Sequence, residues 1–181
     1  ATEKRGLLNY RTTADCMPHL LDKKNMEMLT AHGVFTEAEL KSRYEIMLEN
    51  YCKTIIIEAN TMVDMARSQI APAIESYAAD VARAASAKKT LDSTIVCNYE
   101  ITLVKKLSHL VERIVSKVAE IEEIMISLDD AENIGAKSTM IRDLVLPLMG
   151  ELRVACDEAE TLTAKKYWPF PSYAELLFSV K

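Results

Sequence analysis

The chain has 181 residues, 49% hydrophobic and 27% charged, enough for one domain with a packed core and too apolar for disorder. Only 4 Gly and 5 Pro leave few turn signals, which favours long helices over a many-stranded sheet. The balance of 22 Lys and Arg against 27 Asp and Glu, a net charge of −5, argues against a general affinity for nucleic acid, and with no run near 18 apolar residues and no basic-then-apolar leader a soluble, cytoplasmic protein without membrane contact is expected.

Residues 1–18 are polar and irregular and end in Cys16-Met17-Pro18, where the proline disfavours a helix running through. From His19 to His32, Leu20, Leu21, Met26, Met28 and Leu29 predict a short amphipathic helix, with Gly33 placed as its stop. Val34 and Phe35 then lead into Thr36-Glu37-Ala38-Glu39, a capping box in which the Thr hydroxyl and the Glu carboxylate each take up a free amide. The tight corner should fold the short helix onto the next one.

That next helix is the longest expected, from Thr36 to about Ala87. Its apolar row is Tyr44, Leu48, Tyr51, Ile55, Ala59, Met62, Ala66, Ile70, Ala73, Tyr77, Val81 and Ala84, spaced by three and four. In the first half Ile46, Met47, Cys52, Ile56, Ile57, Val63 and Met65 lie off that row, so this half should be surrounded on several sides. The stretch Ala78 to Ala87 is narrower and alanine-rich and should form an exposed tip, and Pro72 should bend the helix without ending it. The overhang at Tyr44 to Tyr51 needs cover from another element.

A turn at Lys88 to Ser93 leads to a second long helix, about Thr94 to Glu132, with the stripe Val96, Tyr99, Leu103, Leu107, Leu110, Ile114, Val118, Ile121, Met125 and Leu128. Asp129, Asp130, Asn133 and Gly135 mark a break. A third helix, about Ala136 to Lys165, has the seam Ile141, Val145, Leu148, Leu152, Ala155, Ala159 and Leu162 and a kink expected at Pro147. Trp168-Pro169-Phe170-Pro171 stops it, and Ser172-Tyr173-Ala174-Glu175 offers a second capping box before Leu176-Leu177-Phe178. The tail has no P-x-x-P spacing and its aromatics should dock on the bundle. The predicted fold is therefore all-α: an elongated antiparallel three-helix bundle with a kinked first helix and short helices docked at either end.

Chemistry is sparse. Cys16, Cys52, Cys97 and Cys156 show no C-x-x-C pair, so they read as small apolar groups and not as a disulfide or zinc framework. A carboxylate-bridged metal bundle needs Glu-x-x-His on two helices, and none of His19, His32 or His109 has a Glu three residues before it. His109, three residues before Glu112, reads as a flank position. Glu58, Asn60, Asp64 and Arg67 sit in the most apolar stretch; an enclosed Glu58 or Asp64 would need a cation such as Arg67 beside it. No catalytic triad, phosphate loop or H-E-x-x-H is present. No catalytic, cofactor-binding or metal-binding residue is assigned.

Particular strings say more. Lys4-Arg5-Gly6-Leu7-Leu8-Asn9, Phe35-Thr36-Glu37, Ser42-Arg43-Tyr44-Glu45-Ile46, Leu48-Glu49-Asn50-Tyr51-Cys52-Lys53-Thr54-Ile55, Ile57-Glu58-Ala59 and the closing Trp168-Pro169-Phe170-Pro171-Ser172-Tyr173 stand in this order along the chain. Together they resemble the C-terminal region of type III glutamine synthetases. The resemblance implies a parent enzyme that joins glutamate and ammonia using ATP and Mg2+, built as a homo-oligomer, with its catalytic carboxylates and ATP-binding groups upstream of Ala1. It implies that the chain is an excised C-terminal piece, with residues 1–35 closing the catalytic region and residues 36–181 forming a helical domain that packs on it. The fragment alone should then be inactive and need no cofactor. The competing reading is an autonomous helical protein-protein interaction module with no enzymatic parent.

Overall fold

The computed structural model describes residues 3–6 and 8–178, and Leu7 of the Lys4 to Asn9 string lies outside the described residues. Those residues form helices and no strand, so the all-α class is observed. The chain divides into two compact units, Ala1–Ala59 with Glu123–Pro147, and Asn60–Glu122 with Leu148–Lys181.

The first unit begins with helix α1 (Thr13–Cys16), capped by the Thr12 hydroxyl, and a 3-10 turn at Met17–Leu21. This corrects the expectation of an irregular lead-in: Pro18 sits within the first two positions of the turn, where its missing amide leaves no bond unmade. Ala14 and Met17 are buried. Helix α2 (Lys23–Ala31) has no buried residue. It stops at Gly33, whose φ of 63° suits glycine, with Gly33 N–H bonded to Thr30 O and Val34 N–H to Leu29 O at 3.0 Å each.

Helix α3 (Glu37–Met65) starts as the capping box requires. Thr36 N–H donates to Glu39 Oε2 at 2.7 Å, and Glu39 N–H to Thr36 Oγ1 at 3.3 Å. Leu40, Leu48, Cys52 and Ala59 on α3 are buried, as are Leu128, Ser138, Ile141 and Val145 further along the chain. Helix α6 (Ile134–Met140) is capped by the Asn133 side chain and packs on α1. Its Gly135 lies under Tyr44, where a Cβ would come within 3.0 Å of the tyrosine hydroxyl. The Tyr44 to Tyr51 stretch is thereby covered on one face, with Leu48 fully enclosed.

The second unit contains the end of α3, a π-helical turn (Ala66–Ile70) and helix α4 (Ala71–Leu91). Ala71 N–H reaches Ala66 O, five residues back, one residue before Pro72. The wide turn places its extra residue just before a proline that could not have bonded Ser68. The extra residue also rotates everything beyond it, so the covered positions are Ala71, Ile74 and Ala78 rather than the expected Ala73, Tyr77 and Ala84. The alanine-rich end is exposed at Arg83, Ala84, Ser86 and Ala87 as expected, and is met at Ala85, whose O lies 3.8 Å from the Cys97 thiol.

Helix α5 (Asn98–Ser127) buries Leu103, Leu107, Leu110, Ile114, Val118 and Ile121 as its stripe predicted. At its start the register differs: Val96 and Tyr99 are 74% and 71% exposed, while Cys97 and Glu100 face inward. Glu100 tolerates this because Lys88 of α4 donates to it. A second π-turn (Ile141–Val145) closes the first unit and precedes Pro147 at the same spacing as its counterpart precedes Pro72. Helix α7 (Leu146–Leu162) follows, burying Leu152, Ala155, Cys156 and Ala159. Ion pairs give the second unit's helix directions: Arg67 with Glu122 and Lys88 with Glu100 make α4 and α5 antiparallel. Lys106 with Glu158 at 3.0 Å and Lys117 with Glu151 at 2.9 Å do the same for α5 and α7.

Candidate functional site

The residues singled out for chemistry do not converge. Glu58 and Asp64 are exposed, so neither needs the enclosed ion pair considered for them. Arg67 is bonded by Glu122, which raises its pKa with a smaller push from Asp64. His109 is exposed beside Glu158 and Glu112 is exposed, the flank positions expected. Among the described residues no group of three His, Cys, Asp or Glu side chains could hold a metal ion.

Two arrangements arise from tertiary contacts instead. In the first unit Arg142 bridges Asp15 of α1 and its neighbour Asp143, each at 2.7 Å. The Thr12 hydroxyl first, then Arg142, hold the Asp15 carboxyl below the usual range, and the two carboxylates raise the guanidinium. The Tyr51 hydroxyl is buried without a hydrogen-bond partner, and burial first, then nearby charges, raises its pKa. Asp15 and Arg142 are 127 positions apart, and no local pattern announces their meeting.

In the second unit a groove of about 480 Å³ opens between α7, the end of α3 and the tail. Met62, Met65 and Ile70 form one wall, Leu152 and Cys156 the floor, and Trp168, Phe170, Pro171 and Leu176 the far side, with Arg153, Asp157 and Glu160 also lining it. The tail is held there by specific bonds. The Tyr167 hydroxyl donates to Asp80 of α4, its ring lies 5.2 Å from that of Tyr77, and Lys165 pairs with Glu175 at 2.7 Å. Helix α8 (Tyr173–Leu177) opens with the expected box: Ser172 N–H donates to Glu175 Oε2 at 2.8 Å, and Glu175 N–H lies 3.4 Å from Ser172 Oγ. The Lys165 ammonium, then the Ser172 amide and hydroxyl, pull the Glu175 carboxyl down to about 2. Docking of the tail is partial, since Leu177 and Phe178 remain exposed.

The thiol in the groove is unreactive at neutral pH. Burial, reinforced by Asp157, pushes the Cys156 thiol up to about 11, so it stays protonated at neutral pH and is a poor nucleophile. No helix among the described residues is long and apolar enough to cross a membrane.

Comparison with known proteins places these features in a family context. Residues 1–89 match the family described as the glutamine synthetase C-terminal domain. Over 178 residues, 98% of the chain, the sequence is 34% identical to a glutamine synthetase of Butyrivibrio fibrisolvens, covering 25% of that protein. It is 25% identical to a type-3 glutamine synthetase of Dictyostelium discoideum, over 97% of the chain and 24% of that protein. Identity to a glutamine synthetase of Bacteroides fragilis (strain YCH46) is 29%, over 97% of the chain and 25% of the protein. The chain thus spans about a quarter of the length of the curated relatives it matches.

Proposed function

We infer, for a chain whose residues 1–89 belong to the glutamine synthetase C-terminal domain family, that it is a non-catalytic helical domain of a longer glutamine synthetase. Its task is to pack on the catalytic body and support assembly of the enzyme. In this reading residues 1–35 close the catalytic region and residues 36–181 form the helical domain. The ligation of ammonia to glutamate, with its ATP and Mg2+, belongs to the rest of a cytoplasmic, homo-oligomeric parent. The described residues do not fit the metal, having no donor group of three His, Cys, Asp or Glu side chains.

The observation that carries the reading is the outer face of α3, inside the family-matched stretch. Ile46 and Met47 are 53% and 51% exposed although the opposite face, at Leu48, is fully buried. Large aliphatic groups left exposed in a well-packed unit favour a protein neighbour. Two measurements test this. The purified chain should form no glutamine from glutamate, ammonia and ATP; turnover would overturn the reading. In the full-length enzyme, Ile46→Asp with Met47→Asp should reduce assembly in sedimentation experiments, and unchanged assembly and activity would favour an independent module.

A further inference from the structure

The groove beneath the tail of the second unit suits a ligand of narrower chemistry than its apolar walls alone would select. Its volume of about 480 Å³ falls within the range of small-molecule sites, roughly 300–1,000 Å³. The walls are deformable, because Met62 and Met65 offer unbranched thioethers that repack around different shapes. The Trp168 and Phe170 rings meet edge to face with centroids 6.3 Å apart, so π surface is present in the lining.

Charge decides the rest. The lining contains one cation and two anions, Arg153, Asp157 and Glu160. Arg153 Nε lies 3.4 Å from Asp157 Oδ2, so these two offset one another. Glu160 forms no ion pair among the described residues, is exposed, and leaves the lining with one net negative charge. An anionic ligand would be repelled there, and a neutral one would cover part of the Glu160 hydration shell without replacing it. An ammonium group would meet both the carboxylate and the aromatic faces.

We propose that this groove is a binding site for a small amphipathic amine, with an aromatic or aliphatic body seated between Met65, Leu152 and Phe170 and its ammonium group beside Glu160. The proposal rests on the groove and not on the reading of the parent enzyme.

The chain contains a single tryptophan, Trp168, so its emission reports on the groove alone. The experiment titrates the full chain with 4-phenylbutylamine, 4-phenylbutanol and 4-phenylbutyrate, reading Trp168 emission and, in parallel, equilibrium dialysis. The amine should bind saturably and about tenfold more tightly than either the alcohol or the acid. Glu160→Gln, an exposed substitution that leaves the fold intact, should remove most of that preference while leaving alcohol binding unchanged. Phe170→Ala should weaken all three. Absence of saturable binding, equal binding of amine and acid, or a preference that survives Glu160→Gln would each overturn the proposal.

Discussion

The outer face of α3 in the first unit and the groove in the second both leave apolar atoms at the surface, but they differ in form and in charge. On α3 the aliphatic side chains stand outward, nearby Lys53 and Glu49 pair with each other at 3.0 Å, and Arg43 lies over the Phe35 ring. In the groove the apolar atoms line a concavity whose charged residues leave one carboxylate over. A convex apolar face favours broad contact with a protein surface, whereas concavity with an uncompensated charge favours one small molecule of opposite sign.

The contrast can be broken most directly by truncation. Leu152→Ala, at the fully buried floor of the groove, should lower unfolding free energy by about 3 kcal/mol, measured by urea denaturation. Thr36→Ala, which removes the cap of the helix bearing the first surface, should lower it by about 1 kcal/mol. Ile46→Ala on the exposed face should change it by less than about 0.5 kcal/mol. A loss at Ile46 as large as that at Leu152 would mean that the face is interior to the isolated chain.

Acid sharpens the groove side of the comparison. The folded tail keeps Glu175 ionised down to about 2, against an ordinary value of 4.5, whereas an unfolded tail takes up its proton at the higher pH. The carboxylate therefore supports the folding of α8 back onto the Lys165 turn fully above about 4.5, progressively less as pH falls, and not at all below about 2. Trp168 emission should shift to the red over that interval, and Lys165→Met should move the shift to higher pH. The smallest effect is on thiol labelling: exposed Cys16 should react with iodoacetamide more than about tenfold faster than Cys156 at pH 8.

Much of the architecture was legible in local sequence. The two capping boxes at Thr36 and Ser172, the Gly33 stop and the stripe from Leu103 to Ile121 all lie where spacing and side-chain chemistry put them. The candidate groove was not legible. Met62, Leu152 and Trp168 were each read only as core or tail residues, and their meeting depends on how the tail crosses α7 and the end of α3, where Met62 lies 106 positions before Trp168. Nothing near Tyr167 in sequence names Asp80 as the acceptor of its hydroxyl.

What the sequence by itself determined were the long helices, the capped starts at Thr36 and Ser172, the stop at Gly33, and the apolar face along each uninterrupted run, because capping and 3.6-residue periodicity act between residues a few positions apart. Tertiary structure decided the register beyond Ile70, where a π-turn before Pro72 rotates the covered face onto Ile74 and Ala78. It decided that Glu100 turns inward and Tyr99 outward, because Lys88 on the facing helix compensates the carboxylate. It also decided which surplus apolar residues stay at the surface, since burial depends on neighbours that periodicity cannot supply.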